Sequence, residues 1–210
     1  MKTILFDLDG TLTDSGEGII NCASLALRTL GLPVPDRQTM RVFVGPPLRE
    51  TFLRFGVREA DVEEAIRIYR SRYQPIGLFE NRPYEGIREV LEALGAAGHR
   101  LYVATSKPEE MSRTILEHFD LARYFHRICG AALDGSRDTK SKVIAYLLEH
   151  CPASDQIVMV GDTKYDVLGA AAHGIGTIGV AWGYGEVADM EAAGAEAIAR
   201  SPAQLLEMLL

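Results

Sequence analysis

Two aspartates two residues apart, Asp7 and Asp9, follow a short apolar run from Thr3 to Phe6. Alternate side chains of an extended chain share a face, so both carboxylates stand together at a strand end. They repel unless a cation or a shared proton holds them. The pair therefore implies either a hard divalent cation with oxygen ligands or a nucleophile beside an acid/base. Gly10 lets the chain turn sharply and lets a ligand approach the backbone. Thr105 and Ser106 close a second apolar run just before a helix pattern. A hydroxyl and free N–H groups there suit an anion, or cap the helix. Lys140 and Lys142 open another helix pattern, where a cation opposes the macrodipole, so Lys140 there suggests another task. Asp162 ends a third apolar run, with Asp166 four residues on. Both acids can face the sheet's carboxyl edge, or one caps while the other meets solvent.

The elements that must position these groups alternate. From Tyr84 onward the spacing predicts helices over 85–97, 109–119, 140–150, 165–173, 186–193 and 202–210. It predicts strands over 100–105, 125–131, 156–160 and 176–180, with a short one near Ala197. Such alternation implies a parallel sheet with right-handed crossovers, and sites in open α/β sheets lie beyond the carboxyl ends of the strands. Between about Asp14 and Pro83 the pattern is helical, with no good strand. Ser15 is placed to cap a helix through Leu30. Asp36 caps a short helix toward Phe43, and Pro47 begins one through Phe55. Arg58 to Tyr73 carries acids early and bases late, as a helix macrodipole favours. An all-helical insert of this size, residues 15–82, reads as a lid between core segments 1–14 and 83–210.

The chain has 210 residues, 47% of them apolar and 24% charged, with net charge −7. That is an ordinary globular balance. The acidic balance, without a long basic run, argues against a nucleic-acid surface, and no apolar run is long enough to span a bilayer. Cys22, Cys129 and Cys151 have no metal spacing and their odd number makes a poor disulfide framework. Without a charged-then-apolar leader, the expected location is the cytoplasm.

Asp7-Leu-Asp9-Gly10-Thr11 after an N-terminal strand, a hydroxyl after the second core strand, a lysine, and Gly161-Asp162-x-x-x-Asp166 occur in one order. Together they resemble the four motifs of the haloacid dehalogenase (HAD) superfamily, over nearly the whole chain. The resemblance implies a Rossmann-like parallel-sheet core with an inserted α-helical cap, and Mg²⁺-dependent hydrolysis of a small phosphorylated metabolite through an aspartyl phosphate. Asp7 resembles the nucleophile and a metal ligand, and Asp9 the general acid/base, with its carbonyl on the metal. Thr105 resembles the phosphate-binding hydroxyl, helped by the Ser106 N–H, and Ser106 and Lys107 are expected to bind substrate. Lys140 resembles the motif lysine, with Lys142 its rival. Asp162 resembles the side-chain Mg²⁺ ligand, supported by Asp166. A second acid such as Asp9 argues for phosphoryl transfer over dehalogenation.

The loop from Phe43 to Arg49 is the expected cap loop. Gly45 permits close approach and Arg49 suits a carboxylate or a second phosphate. This loop, Thr105-Ser106-Lys107-Pro108 and Trp182-Gly-Tyr-Gly185 are similar to phosphoglycolate phosphatases and to a 5′-nucleotidase-like group. The expected assembly is a monomer or homodimer, without nucleic acid or membrane. A phosphosugar mutase of the β-phosphoglucomutase type is the alternative enzyme, and a phosphoacceptor signalling module the alternative from another class.

Overall fold

The computed structural model describes residues 1–151 and 156–210. In chain order its elements are β1 (Thr3–Phe6), β2 (Thr13–Asp14), α1 (Gly16–Thr29), α2 (Arg37–Met40), α3 (Leu48–Arg54), α4 (Val62–Arg72), β3 (Arg82–Pro83), α5 (Ile87–Ala96), β4 (Arg100–Pro108), α6 (Glu109–His118), β5 (Arg127–Ala131), α7 (Lys140–Leu148), β6 (Ile157–Gly161), α8 (Lys164–Ala171), β7 (Gly176–Val180), α9 (Val187–Ala192), β8 (Ala197–Ala199) and α10 (Pro202–Leu209). They divide into two compact units, Met1–Thr13 with Pro83–Leu210, and Asp14–Arg82.

The first unit is built on a six-stranded sheet in the order β5-β4-β1-β6-β7-β8. Every pairing is parallel, the α/β architecture that the alternation predicts. β1 is buried along its whole length, which explains why it reads as a continuous apolar run. Leu5, Tyr102, Ala104, Cys129 and Met159 point to one face of the sheet, where Val143, Ile144 and Leu147 of α7 and Ala170 of α8 complete a core. β4 runs through Pro108, past Thr105 where the apolar pattern stops, and its register on β5 shifts between Ala104 and Pro108. Two polar residues of that extension, Thr105 and Lys107, are buried.

The second unit is helical. Asp36 caps α2 by accepting from the Thr39 N–H at 3.0 Å. Ser15, expected to cap α1, makes no cap bond, and its hydroxyl oxygen is buried without a hydrogen-bond partner. Its φ of −92° and ψ of 2° are not the extended backbone that aims an N-cap side chain at the first turn. Phe52 packs edge-on to Phe43 and Tyr69, and Tyr69 stacks on Tyr73. After α4 the chain makes a π-helical turn over Tyr73–Gly77. Strands β2 and β3, two residues each, form a separate two-stranded sheet; elements that short leave no periodicity to read, and the sequence does not predict them. Among the described residues no disulfide joins the three cysteines, and Cys22 and Cys129 are buried. Among the described residues no helix is long and apolar enough to cross a membrane.

Arg72 meets both carboxylate oxygens of Glu80 at 2.7 Å. Hydrogen bonds from that guanidinium hold the Glu80 carboxyl below the usual range. The pair therefore stabilises the folded chain above the unfolded glutamate pKa of about 4.3, and the contribution is lost as pH falls through the lower folded value. Glu80→Gln should lower the unfolding free energy by about 1 kcal/mol at pH 7. Denaturant titrations should show this deficit fading toward pH 3; an equal deficit at both pH values would contradict the pairing.

Candidate active site

The site forms where β1, β4 and β6 end. The Asp7 N–H donates to the Val160 carbonyl at 2.9 Å, one rung beyond the regular β1 ladder. The chain then turns back, with the Gly10 N–H donating to the Thr13 carbonyl at 2.8 Å. Gly10 has φ +87°, and a Cβ there would strike the Asp162 carboxylate. Two constraints, a left-handed backbone and a neighbouring acid, thus select glycine at this turn.

Among the described residues, Asp7, Asp162 and Asp166 each offer a carboxylate oxygen within 4.8 Å of the others, all three side chains being buried. Lys140, the first residue of α7, places its Nζ 2.7 Å from Asp7 Oδ1 and 2.7 Å from Asp166 Oδ1, and donates to the Ala104 carbonyl at 2.9 Å. Lys142, two residues on, pairs instead with exposed Asp138 at 2.8 Å. Residues two apart on a helix face different directions; one enters the site and the other meets solvent. Thr139 caps α7 by accepting from the Lys142 N–H, and Gly169 of α8 leaves room for the Lys140 stem, since a Cβ there would lie 2.6 Å from Lys140 Cγ.

Asp166 does two things at once. Its Oδ2 accepts from the Thr163 N–H at 3.0 Å and from the Thr163 hydroxyl at 2.9 Å, closing the first turn of α8. Its Oδ1 faces Lys140. Asp162 accepts from the Tyr184 N–H at 2.8 Å and from the Thr11 hydroxyl at 3.4 Å. The Thr105 hydroxyl lies beside the Asp7 carboxyl and lowers its pKa slightly against the larger upward push of burial.

Asp9 stands apart from the three-carboxylate cluster. Its Oδ2 pairs with Lys107 Nζ at 2.8 Å, both side chains being nearly covered. Ser106 lies between Thr105 and Lys107 in β4 and is partly exposed. Gly45 and Arg49 belong to the helical unit. Gly45 has φ +104°, and the Arg49 guanidinium is held by Glu59 and, at 2.6 Å, by Glu63. For Arg49 to bind a substrate anion it would have to share or leave these carboxylates.

Burial pushes the Asp7 carboxyl up to about 6, against the pull of Lys140 and with a further push from Asp166. Burial, then Asp166 and Asp7, also hold Asp162 well above the usual carboxylate range. Burial alone would lower Lys140; Asp166 and Asp7 outweigh it and hold the ammonium above the ordinary lysine value. The cluster thus has more negative charge than its lysine offsets.

Sequence reasoning missed the residues that make room. A Cβ at Gly183 would meet the Asp162 carboxylate, and one at Gly161 would meet Asp166. The Trp182 indole N–H donates to the Thr11 carbonyl at 3.1 Å. The glycine-rich turn after β7 was a visible signal; its service to Asp162, some twenty residues earlier, was not.

A parallel α/β sheet with buried acids and a lysine at its carboxyl edge defines an enzyme site of the doubly wound class. The sequence model of the haloacid dehalogenase-like hydrolases matches residues 4–180, and the chain belongs to that family. It is 46% identical over 191 residues to a 5′-nucleotidase of Pseudomonas aeruginosa, covering 90% of this chain and 86% of that protein. It is 48% identical over 185 residues to the tyrosine-protein kinase PtkA of Mycobacterium tuberculosis, covering 88% of this chain but only 63% of that protein. It is 33% identical over 187 residues to a phosphoglycolate phosphatase of Aquifex aeolicus, covering 88% of this chain and 86% of that protein. The crystal structure of a predicted phosphatase from Clostridium acetobutylicum superposes with a TM-score of 0.94 at 42% identity, covering 99% of this chain and 97% of that one. The protein is a HAD-family phosphatase.

Replacing Lys140 leaves Asp7 and Asp166 facing each other without the ammonium between them. Lys140→Met should lower kcat on p-nitrophenyl phosphate by at least about 100-fold. Lys142→Met should stay within about twofold, as surface substitutions do. The reverse ranking would mean that the buried lysine is structural only.

Proposed function

We propose that this enzyme hydrolyses a small phosphate monoester with Mg²⁺, through a phosphoryl group carried on Asp7. The observation that carries the reading is the cluster of Asp7, Asp162 and Asp166 around Lys140. The donor set fits a hard cation. It is all oxygen, it is buried, and its carboxyls are pushed toward protonation by one another, which a divalent charge would offset. Asp7, Asp162 and Asp166 would hold the ion, with the Asp9 carbonyl as the resemblance implies. When bound, it would withdraw charge from the phosphoryl oxygens.

The chain's own residues divide the rest of the work. Asp7 attacks phosphorus, and the bond to the leaving oxygen breaks. Thr105, beside Asp7, is assigned a phosphoryl oxygen, as the resemblance implies. Lys140 lowers the repulsion between an anionic nucleophile and an anionic substrate. Asp9 gives a proton to the departing alkoxide and then takes one from the water that splits the aspartyl phosphate. One carboxylate serves both half-reactions, and Asp7 is regenerated.

The helical unit is assigned the part of a cap that selects the leaving group, and Ser106 that of an N–H donor to phosphate. A soluble metabolite is the substrate class and the cytoplasm the setting. Likeness to the nucleotidase supports a 5′-nucleotide as the first substrate to try, with phosphoglycolate next.

Asp7→Asn should abolish release of inorganic phosphate while keeping the wild-type circular dichroism, since it changes charge with little volume. Excess EDTA should abolish wild-type activity, and Mg²⁺ should restore it. A panel of phosphorylated metabolites should give its highest kcat/KM on one small monoester. Isomerisation without phosphate release would favour a mutase; transfer from ATP to a tyrosine peptide without hydrolysis would favour a kinase. Undiminished hydrolysis by Asp7→Asn would sink the nucleophile assignment.

A further inference from the structure

Two rungs cross from the turn after β1 to the extension of β4. One sets the Thr105 hydroxyl beside the Asp7 carboxyl, and the other bonds Lys107 to Asp9 at 2.8 Å. Asp7 and Asp9 are two apart, as are Thr105 and Lys107, so alternate residues on neighbouring parallel segments meet pairwise. The second rung is buried, with side-chain exposures of 6% for Lys107 and 11% for Asp9. It takes up Asp9 Oδ2, while Asp9 Oδ1 is buried without a hydrogen-bond partner. The Lys107 N–H also donates to the Thr105 hydroxyl at 3.3 Å, tying the two rungs together. Buried ion pairs contribute little net stability compared with apolar packing, so stability is a poor reason for this one.

We propose that Lys107 is a positioning residue: it fixes Asp9 by Oδ2 and presents Oδ1 as the oxygen that meets the substrate. This rests on Asp9 acting as acid/base in the preceding reading, and it replaces the expectation that Lys107 anchors substrate. A lysine suits the task because its ammonium is donor-only and compact, so it holds one oxygen without competing for protons at the other. A misplaced carboxylate slows the chemical steps but leaves the binding of the phosphoryl group in place.

The test is steady-state kinetics of Lys107→Met and Lys107→Arg, each alone and with Asp9→Asn, on p-nitrophenyl phosphate with Mg²⁺. Lys107→Met should lower kcat by about 10- to 100-fold, the cost of an ångström-scale misplacement, with KM changed less than about threefold. Lys107→Arg should recover part of the loss. In the Asp9→Asn background, Lys107→Met should cost no more than about twofold further, since the carboxylate it is proposed to position is already gone. A raised KM with unchanged kcat would overturn the proposal in favour of substrate anchoring. Equal losses in both backgrounds would overturn it in favour of a structural role, which thermal unfolding of the same variants would register. Wild-type phosphate release in the same assay reports separately on the phosphatase reading.

Discussion

The arrangement depends on keeping several buried carboxylates beside one another without cancelling their charge. Burial and like charges at such range both raise a carboxyl's pKa, as they do for Asp7 and Asp162, burial most of all. The protein answers with two ammonium groups placed differently. Lys140 sits between Asp7 and Asp166, and Lys107 takes Asp9. Asp162 is held by a backbone N–H and a hydroxyl. Neutral donors hold a carboxylate in place while leaving more of its charge for a cation than an ammonium would.

This packing of acids sets demands on the backbone. Gly10, Gly161 and Gly183 each lie where a Cβ would run into Asp162 or Asp166, and Gly169 does the same for Lys140. The site is therefore not a set of side chains mounted on a neutral scaffold. It is a close packing of charged groups against bare backbone, and the turns after β1, β6 and β7 owe their glycines to it. Trp182, the single tryptophan of the chain, extends the same logic. Its N–H holds the Thr11 carbonyl, and Thr11 in turn reaches Asp162, so the turn after β7 and the turn after β1 fix one acid from two sides.

Much of the core was legible in the sequence because parallel strands buried on both faces leave apolar runs, and the acids stand where those runs stop. That Asp7, Asp162 and Asp166 converge follows from their all lying at the carboxyl edge of one sheet. What was not legible is direction. The macrodipole argument marked a lysine at the start of α7 as unusual but could not say whether Lys140 or Lys142 turns inward; that depends on the angle at which α7 leaves its Thr139 cap. Lys107 was expected to bind substrate; its pairing with Asp9, a long way off in sequence, leaves no local pattern to read. The ribbon of β2 and β3 escaped for want of length, and the Ser15 cap failed because the backbone there is not extended.

The likeness to relatives with different names follows from the same division. The charged cluster, its glycines and both lysines all belong to the unit of Met1–Thr13 and Pro83–Leu210. These groups constrain one another through contacts under 3 Å, so few substitutions leave the chemistry intact. A nucleotidase, a phosphoglycolate phosphatase and a kinase can all be similar to this chain because activation of a phosphoryl group makes one set of demands and choice of partner another. On the proposed reading the helical unit answers to the second. Its Arg49 shows how differently it is built: an exposed guanidinium shared between Glu59 and Glu63 is a surface arrangement that substitutions can rewire at little cost in stability. If the helical unit is the cap proposed above, substrate choice can drift there while the buried acids stay where they are.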